Sequence, residues 1–296
     1  MSHWNPALRS LETTESGIYG PKSFIGYLRD TDEDPSQYRT ADELSIDTHK
    51  QLSDRLDERG AMVLRLGKAS DGPGTQFALV DVAEKIDDFF INEGAFDSDS
   101  REMLNYTPKA NDTLSLGQSA QDMLDVYRSL PTFSETSLVN FALSIGILSR
   151  ALGLDTAQIG TAPTTVASTF DFQFEPHPDH PTVVHHNSGQ VEIDGLIMTR
   201  RGGERILLVI EAKRGRGRKL AKHKIGYPTL AAEMSLSLTV DQLVPVYLRA
   251  HTVDGDDDDM IRYSIYECSD IPIGETQPCL TGLRVINNRH YEVRLG

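Results

Sequence analysis

The stretch Arg205-Ile206-Leu207-Leu208-Val209-Ile210 is apolar at five consecutive positions and runs directly into Glu211-Ala212-Lys213. Successive residues of a strand point to opposite faces, so an unbroken apolar run predicts a strand covered on both sides, at the centre of a sheet. Glu211 and Lys213 then share one face while Ala212 points to the other. A fold built around this segment carries a carboxylate and an ammonium at the end of a buried strand, where charge is costly unless it is paired or holds a cation.

The residues upstream supply a partner. Gln190 to Thr199 reads as a strand, and Arg200 to Glu204, with Gly202-Gly203 at its centre, predicts a two-residue turn that folds it onto Arg205 to Lys213 as a hairpin. That turn pairs Arg201 with Glu204, and the resulting register sets Asp194 opposite Glu211 on the same face. Two carboxylates and an ammonium converge. Such a pair of carboxylates suits a hard divalent cation, since Mg²⁺ takes one or two of them and keeps several waters. With a lysine within reach of a water, this is the equipment of phosphodiester hydrolysis.

Val191-Glu192-Ile193-Asp194-Gly195 followed by Ile210-Glu211-Ala212-Lys213 resembles the motif of the PD-(D/E)XK nuclease superfamily, over roughly Ser134 to Ala250. Ile193 stands where the motif has Pro. The resemblance implies a restriction-endonuclease-like mixed sheet flanked by helices, an α/β (α+β) fold, and a DNA endonuclease of restriction or defence type. It implies Asp194 and Glu211 as metal ligands for Mg²⁺, or Mn²⁺ in its place, with the Ala212 carbonyl as a third and Lys213 positioning the attacking water. Members often add a glutamate from the preceding helix, and Glu135 fits because it shares a helical stripe with Leu138, Ala142 and Ile145; the alternative is that Glu135 complements the helix N-terminus. Glu175 and Glu192 are lesser candidates, or solvated strand residues. The other functional reading is a non-catalytic nucleic-acid-binding or assembly module that retains a nuclease-like fold, and a third is a structural ion pair between Glu211 and Lys213.

Further elements follow from periodicity and punctuation. Residues 1–115 predict an N-terminal α/β or winged-helix-like module without a catalytic constellation: a helix over Ala41 to Glu58, then a hairpin of Ala61 to Leu66 and Gln76 to Val82 around Ser70-Asp71-Gly72-Pro73-Gly74. Gly94 to Gly117 reads as a linker, and residues 116–296 as the nuclease-like domain. There, Ser134 caps a helix running to about Leu152, with Gly153 ending it. Thr165 to Glu175 alternates as a half-buried strand. Lys219 to Ser235 reads as one kinked helix or two, given Pro228; Leu243 to Ala250 as a strand placed at an edge by Pro245; Met260 to Glu267 as another. His177, Asp179, His180, His185 and His186 lie among prolines that break any regular zinc spacing, so a mobile loop over the active-site entrance is the expectation.

Charge is distributed unevenly along the chain. The chain has a formal charge of −15, with 27 Asp to 17 Glu and 20 Arg to 9 Lys, a bias resembling proteins of salt-loving organisms. Yet Arg200 to Lys224 carries a net +8. A local cationic stretch on an anionic chain suggests a polyanion-binding surface, or else a solvated loop; the resemblance implies DNA as that polyanion, with Arg214, Arg216, Arg218, Lys219, Lys222, His223 and Lys224 as contacts. Cys268 and Cys279 are too few for a disulfide scaffold. No apolar run is long enough for a membrane span, and the N-terminus lacks a signal-peptide core, so a cytoplasmic location is expected. Cutting both strands of a duplex would favour a homodimer.

Overall fold

The computed structural model describes residues 2–96, 102–105, 134–155, 163–217, 219–235, 239–253 and 260–294. In chain order its strands are β1 Ile18–Ser23, β2 Ala61–Lys68, β3 Thr75–Asp81, β4 Phe90–Asn92, β5 Glu102–Asn105, β6 Thr164–Phe174, β7 Val184–Arg201, β8 Glu204–Arg214, β9 Lys219–Ala221, β10 Gln242–Val253, β11 Met260–Cys268 and β12 Val285–Arg294. The α-helices are α1 Asn5–Leu11, α2 Phe24–Asp30, α3 Thr40–Leu44, α4 Asp54–Arg59, α5 Glu135–Ser144, α6 Ile147–Leu152 and α7 His223–Ser235.

One mixed sheet runs β1-β3-β2-β7-β8-β10-β11-β12-β5, with β6 also paired to β7, while β4 and β9 form a small separate pair. The fold is α+β, with helices flanking the sheet, as expected. β8 is its centre: Ile206, Leu208, Ile210 and Ala212 enter one core cluster with α5 and α6, and Leu207 and Val209 enter the other with α7. Each of the Ile, Leu and Val side chains contributes about 1.5–3 kcal/mol by leaving water, which anchors this strand on both faces. β10 lies parallel to β8, from Gln242↔Ile206 to Ala250↔Arg214. A parallel pair needs a crossover, and α7 provides it.

Local chemistry explains where several elements depart from expectation. Pro245 does not mark an edge, because β10 lies between β8 and β11; it sits one residue before the pairing to β11 begins at Val246↔Glu267, so its missing N–H removes nothing from that ladder. The helix expected over 41–58 is interrupted. Gln51 Oε1 accepts the Asp47 and Thr48 N–H groups, each at 2.8 Å, Ser53 caps α4, and the Asp47 carbonyl accepts the Ala221 N–H. The helix from Ser134 is broken at Gly146, whose φ of 74° separates α5 from α6, and Gly153 ends α6 as expected. Lys219–Ala221 is a strand, and α7 begins only at His223 with Pro228 inside it.

The boundary expected near residue 115 lies outside the described residues. Within them, β1, β2 and β3 continue the same sheet through Gly67↔Asn187, and residues from Trp4 to Ile91 share a core cluster with Tyr227, Tyr247 and Tyr266. Gly67 has φ +81°, and a Cβ there would stand 2.2 Å from the Asn187 carbonyl oxygen, so only glycine permits this junction. In the stretch read as a linker, Glu102–Asn105 pairs with β12; most of the remainder lies outside the described residues.

The His-rich loop is pinned. His177 is buried with Nε2 3.2 Å from Asp88, Asp179 pairs with Lys85 at 2.5 Å, and His180 Nε2 meets the Asp81 carbonyl. These partners belong to residues 81–88, so residues 177–180 are held against that segment rather than free, while His186 lines a depression with Asp47 and Lys224. Cys268 and Cys279 are buried free thiols. Among the described residues no helix is long and apolar enough to cross a membrane.

Glu175 is fully buried rather than solvated. Its carboxylate accepts the N–H groups of Glu275, Thr276 and Gln277 at 2.9, 2.6 and 3.1 Å. Burial alone would raise its pKa, but these donors outweigh it and hold the carboxyl below its ordinary value. A depressed carboxyl stabilises the fold above the unfolded-state pKa and stops doing so as pH falls through the folded-state one. Glu175→Ala is therefore expected to lower the unfolding free energy by about 1–3 kcal/mol at pH 7. The gap from the parent should narrow at pH 3, measured by urea denaturation at both pH values.

Candidate active site

The hairpin of β7 and β8 sets the site. Its turn residues Gly202 and Gly203 both have positive φ, 59° and 86°, as a type I′ turn requires. The ladder runs from Arg201↔Glu204 to Gly195↔Ile210, the register the sequence implies. Beyond Gly195 a side chain takes over from the backbone: Asp194 Oδ2 accepts the Ala212 N–H at 2.8 Å. Asp194 is thereby fixed across the end of β8, beside Glu211.

Glu211 is only 4% exposed. Lys213 Nζ stands 2.8 Å from its Oε1 and Lys224 Nζ, from α7, 3.9 Å. Lys213 also lies 3.5 Å from Glu135 at the start of α5, and Lys224 lies 3.3 Å from Asp47. Helix α5 begins at Glu135 because Ser134 accepts the Ser137 N–H at 3.0 Å. All four residues expected to do chemistry are thus gathered at one place. Lys224 joins them, and so does Asp47, which had no sequence signal.

Desolvation dominates the electrostatics. Burial pushes Glu211 up to about 7 against the pull of Lys213 and Lys224, and raises Asp194 against the Ala212 N–H and Lys213. Burial alone would lower Lys213, but Glu211, Glu135 and Asp194 outweigh it and keep the ammonium charged. Asp194, Glu211, Glu135 and Asp47 face two ammonium groups, Lys213 and Lys224, a formal deficit of two positive charges. Glu211 Oε1 is buried against the Lys213 ammonium, which is its nearest charged neighbour. A divalent cation would answer the charge deficit. Asp194 and Glu211 could hold Mg²⁺ with waters completing its shell. Among the described residues no group of three or more His, Cys, Asp or Glu is arranged to hold a metal ion; two carboxylates and a carbonyl do not require one.

The cationic stretch is not one surface. Arg200, Arg201 and Arg205 lie at the turn end of β8, separated from Lys213 by roughly 30 Å of strand, and Arg201 is tied to Glu267 at 2.6 Å. Lys219 pairs with Asp87 at 2.5 Å. Lys222 donates inward to the Thr281 carbonyl at 2.6 Å, and burial lowers it to about 8. His223 is buried and lowered by that burial to about 3. Arg214 and Arg216 are exposed, and Arg218 lies outside the described residues. Glu192 is exposed and accepts a hydrogen bond from Gln190 at 3.0 Å. Sequence reasoning also missed Arg249, whose signal was a charge inside the otherwise apolar Leu243 to Ala250.

A family model described as a domain of unknown function, DUF6997, matches residues 105–270, more than half of the chain. The chain belongs to the DUF6997 family. The matched region holds Glu135, Asp194, Glu211, Lys213 and Lys224, whereas Asp47 lies before it. No curated protein and no solved structure is significantly similar to this DUF6997 chain.

The raised pKa of Glu211 has a sign that can be measured on this DUF6997 protein. A carboxyl whose folded-state value lies above the unfolded one makes the native state bind more protons, so stability falls as pH rises from about 4.5 to about 7. In chelator, Glu211→Gln should therefore gain stability relative to the parent across that interval, by up to about 3 kcal/mol, in urea unfolding followed from pH 4.5 to 8. A difference that stays flat with pH would contradict the assigned environment.

Proposed function

We propose that this protein is a Mg²⁺-dependent DNA endonuclease that hydrolyses phosphodiester bonds at the end of the β7–β8 hairpin. The supporting observation is the buried, charge-deficient cluster of Asp194, Glu211, Lys213 and Glu135 in the register that the PD-(D/E)XK resemblance requires. A structural ion pair would need Glu211 and Lys213 alone. Here three further carboxylates, Asp194, Glu135 and Asp47, and a second ammonium, Lys224, are assembled around that pair from four other parts of the chain.

Bound Mg²⁺ would polarise a phosphoryl oxygen and offset the charge that develops on it. Asp194 and Glu211 would hold the ion, with the Ala212 carbonyl beside them. Lys213, kept charged by its carboxylate neighbours, would donate a hydrogen bond that orients the attacking water or a phosphate oxygen. Glu135 limits where that ammonium can point. Lys224, steadied by Asp47, adds positive charge where the leaving group becomes anionic.

Asp194→Asn and Lys213→Ala should each lower Mg²⁺-dependent plasmid cleavage by at least about 10³-fold while retaining the parent's circular dichroism spectrum and its oligonucleotide binding in chelator. The assay compares plasmid incubated with Mg²⁺ and with chelator over a range of salt. Undiminished metal-dependent cleavage by both purified variants refutes the site. Binding without turnover by the parent supports the non-catalytic reading.

A further inference from the structure

A second charged depression lies on the same face of the sheet as Glu211 and Lys213. On β10, Arg249 stands in register with Lys213 of β8; on β11, Ser264 stands opposite Arg249 and Arg262 opposite His251. Register partners on neighbouring strands share a face, so this row continues the one that carries the carboxylates. A cavity of about 500 Å³ opens there, lined by Lys50, Arg216, Arg249, Arg262, His251 and Glu93 among others. Among the described residues four cations line it, against the carboxylate of Glu93 and that of Glu292 behind Arg262, on a chain of formal charge −15.

The floor of the cavity is built. Arg249 is 7% exposed; its Nη2 donates to Glu93 Oε1 at 2.8 Å, its Nε pairs with Glu93 Oε2 at 2.5 Å, and Nη1 faces the Arg214 and Gly215 carbonyls at 3.4 and 3.3 Å. The Tyr247 hydroxyl donates to Glu93 Oε1 at 3.0 Å. Gly217 packs so closely on the guanidinium that a Cβ would stand 2.4 Å from it. Arg262 is tied to Glu292 at 2.6 Å. Lys50 and Arg216 differ: both are exposed, and among the described residues neither has an acidic partner. A fixed, hydrogen-bonded floor, with two cations at its rim that have no acidic partner among the described residues, suits a tetrahedral anion.

We infer that this pocket receives a backbone phosphate of the same DNA strand that crosses the Asp194, Glu211 and Lys213 site. The identity of the ligand rests on the function proposed above. Neighbouring strands lie about 4.8 Å apart, so a pocket between β10 and β11 is roughly 7–10 Å from Lys213. Successive phosphates of one DNA strand rise by about 3.4 Å along the helix axis and stand farther apart than that through space, which makes the occupant a phosphate one or two nucleotides from the one at the carboxylates. A contact of this kind sets the strand's register on the protein without reading its sequence. Lys50 comes from the N-terminal third and lies outside the DUF6997 match, so this part of the chain also takes part in holding the substrate.

The test is binding of a fluorescent DNA duplex in chelator, where no cleavage occurs, over a series of salt concentrations. Lys50→Ala combined with Arg216→Ala is expected to weaken binding by tenfold or more at low salt and to reduce the slope of log affinity against log salt by about 1.5–2. Arg289→Ala, an exposed cation on β12 whose register partner Ile265 faces the opposite core, should bind as the parent does. An unchanged affinity and slope in the double variant overturns the inference. So does binding of inorganic phosphate that the double substitution abolishes while duplex affinity stays that of the parent, which would assign the pocket to a small anion. Plasmid cleavage by the parent is scored separately, so loss of the nuclease reading and loss of the phosphate pocket are read in different assays.

Discussion

The site depends on the burial of Glu211 at the end of a strand that is itself inaccessible from either face. Leu207 and Val209 fix one side of β8 under α7, and Ile206, Leu208 and Ile210 fix the other under α5 and α6. The strand cannot twist its last residues into water without disturbing both cores, so the alternation that buries Val209 also carries Glu211 into a poorly hydrated position. Everything nearby compensates: Lys213 at 2.8 Å, Lys224 at 3.9 Å and, for Lys213, Glu135 at 3.5 Å. Compensation is incomplete, and the remaining negative charge is what gives the cluster a use.

Much of this was legible because it follows from alternation and one turn. Gly202-Gly203 fixed the hairpin register, the register put Asp194 beside Glu211, and the apolar run put β8 at the centre. Glu135 was legible from its helical stripe and from the serine that caps it. What stayed hidden depends on long-range contact. Asp47 reaches Lys224 because the 47–48 segment is drawn to β9, and the helix expected there is broken to allow it. Pro245 misled because a proline is excluded from a ladder only where its N–H would be used. The basic stretch misled more: charges adjacent in sequence sit at opposite ends of a strand roughly 30 Å long, and several are consumed by Glu267, Asp87 and the Thr281 carbonyl.

The N-terminal residues gain their meaning from the same geometry. β1 to β3 extend the sheet past β7, and residues 47–50 lie between the two charged regions, with Asp47 against Lys224 and Lys50 beside the Arg249 cavity. Glu93 completes the pattern, since it is buried only because Arg249 and Tyr247 hold it. A sequence scan restricted to the C-terminal half sees the carboxylates and the lysines but not the groups that steady them.

Two neighbouring regions of one sheet face therefore carry opposite electrostatic character. Among the described residues, the acids outnumber the ammonium groups around Glu211, and the cations outnumber the acids around Arg249. A phosphodiester strand is itself anionic, so it is repelled from the first region unless a divalent cation is there, and attracted to the second in any case. On the proposed reading this arrangement would order events by charge alone: the backbone would dock at Arg216 and Lys50 without metal, while approach to Asp194 and Glu211 would wait for it. A nuclease built this way would separate affinity from turnover, with its hold on DNA set by solvated arginine and lysine and its chemistry by carboxylates kept out of water.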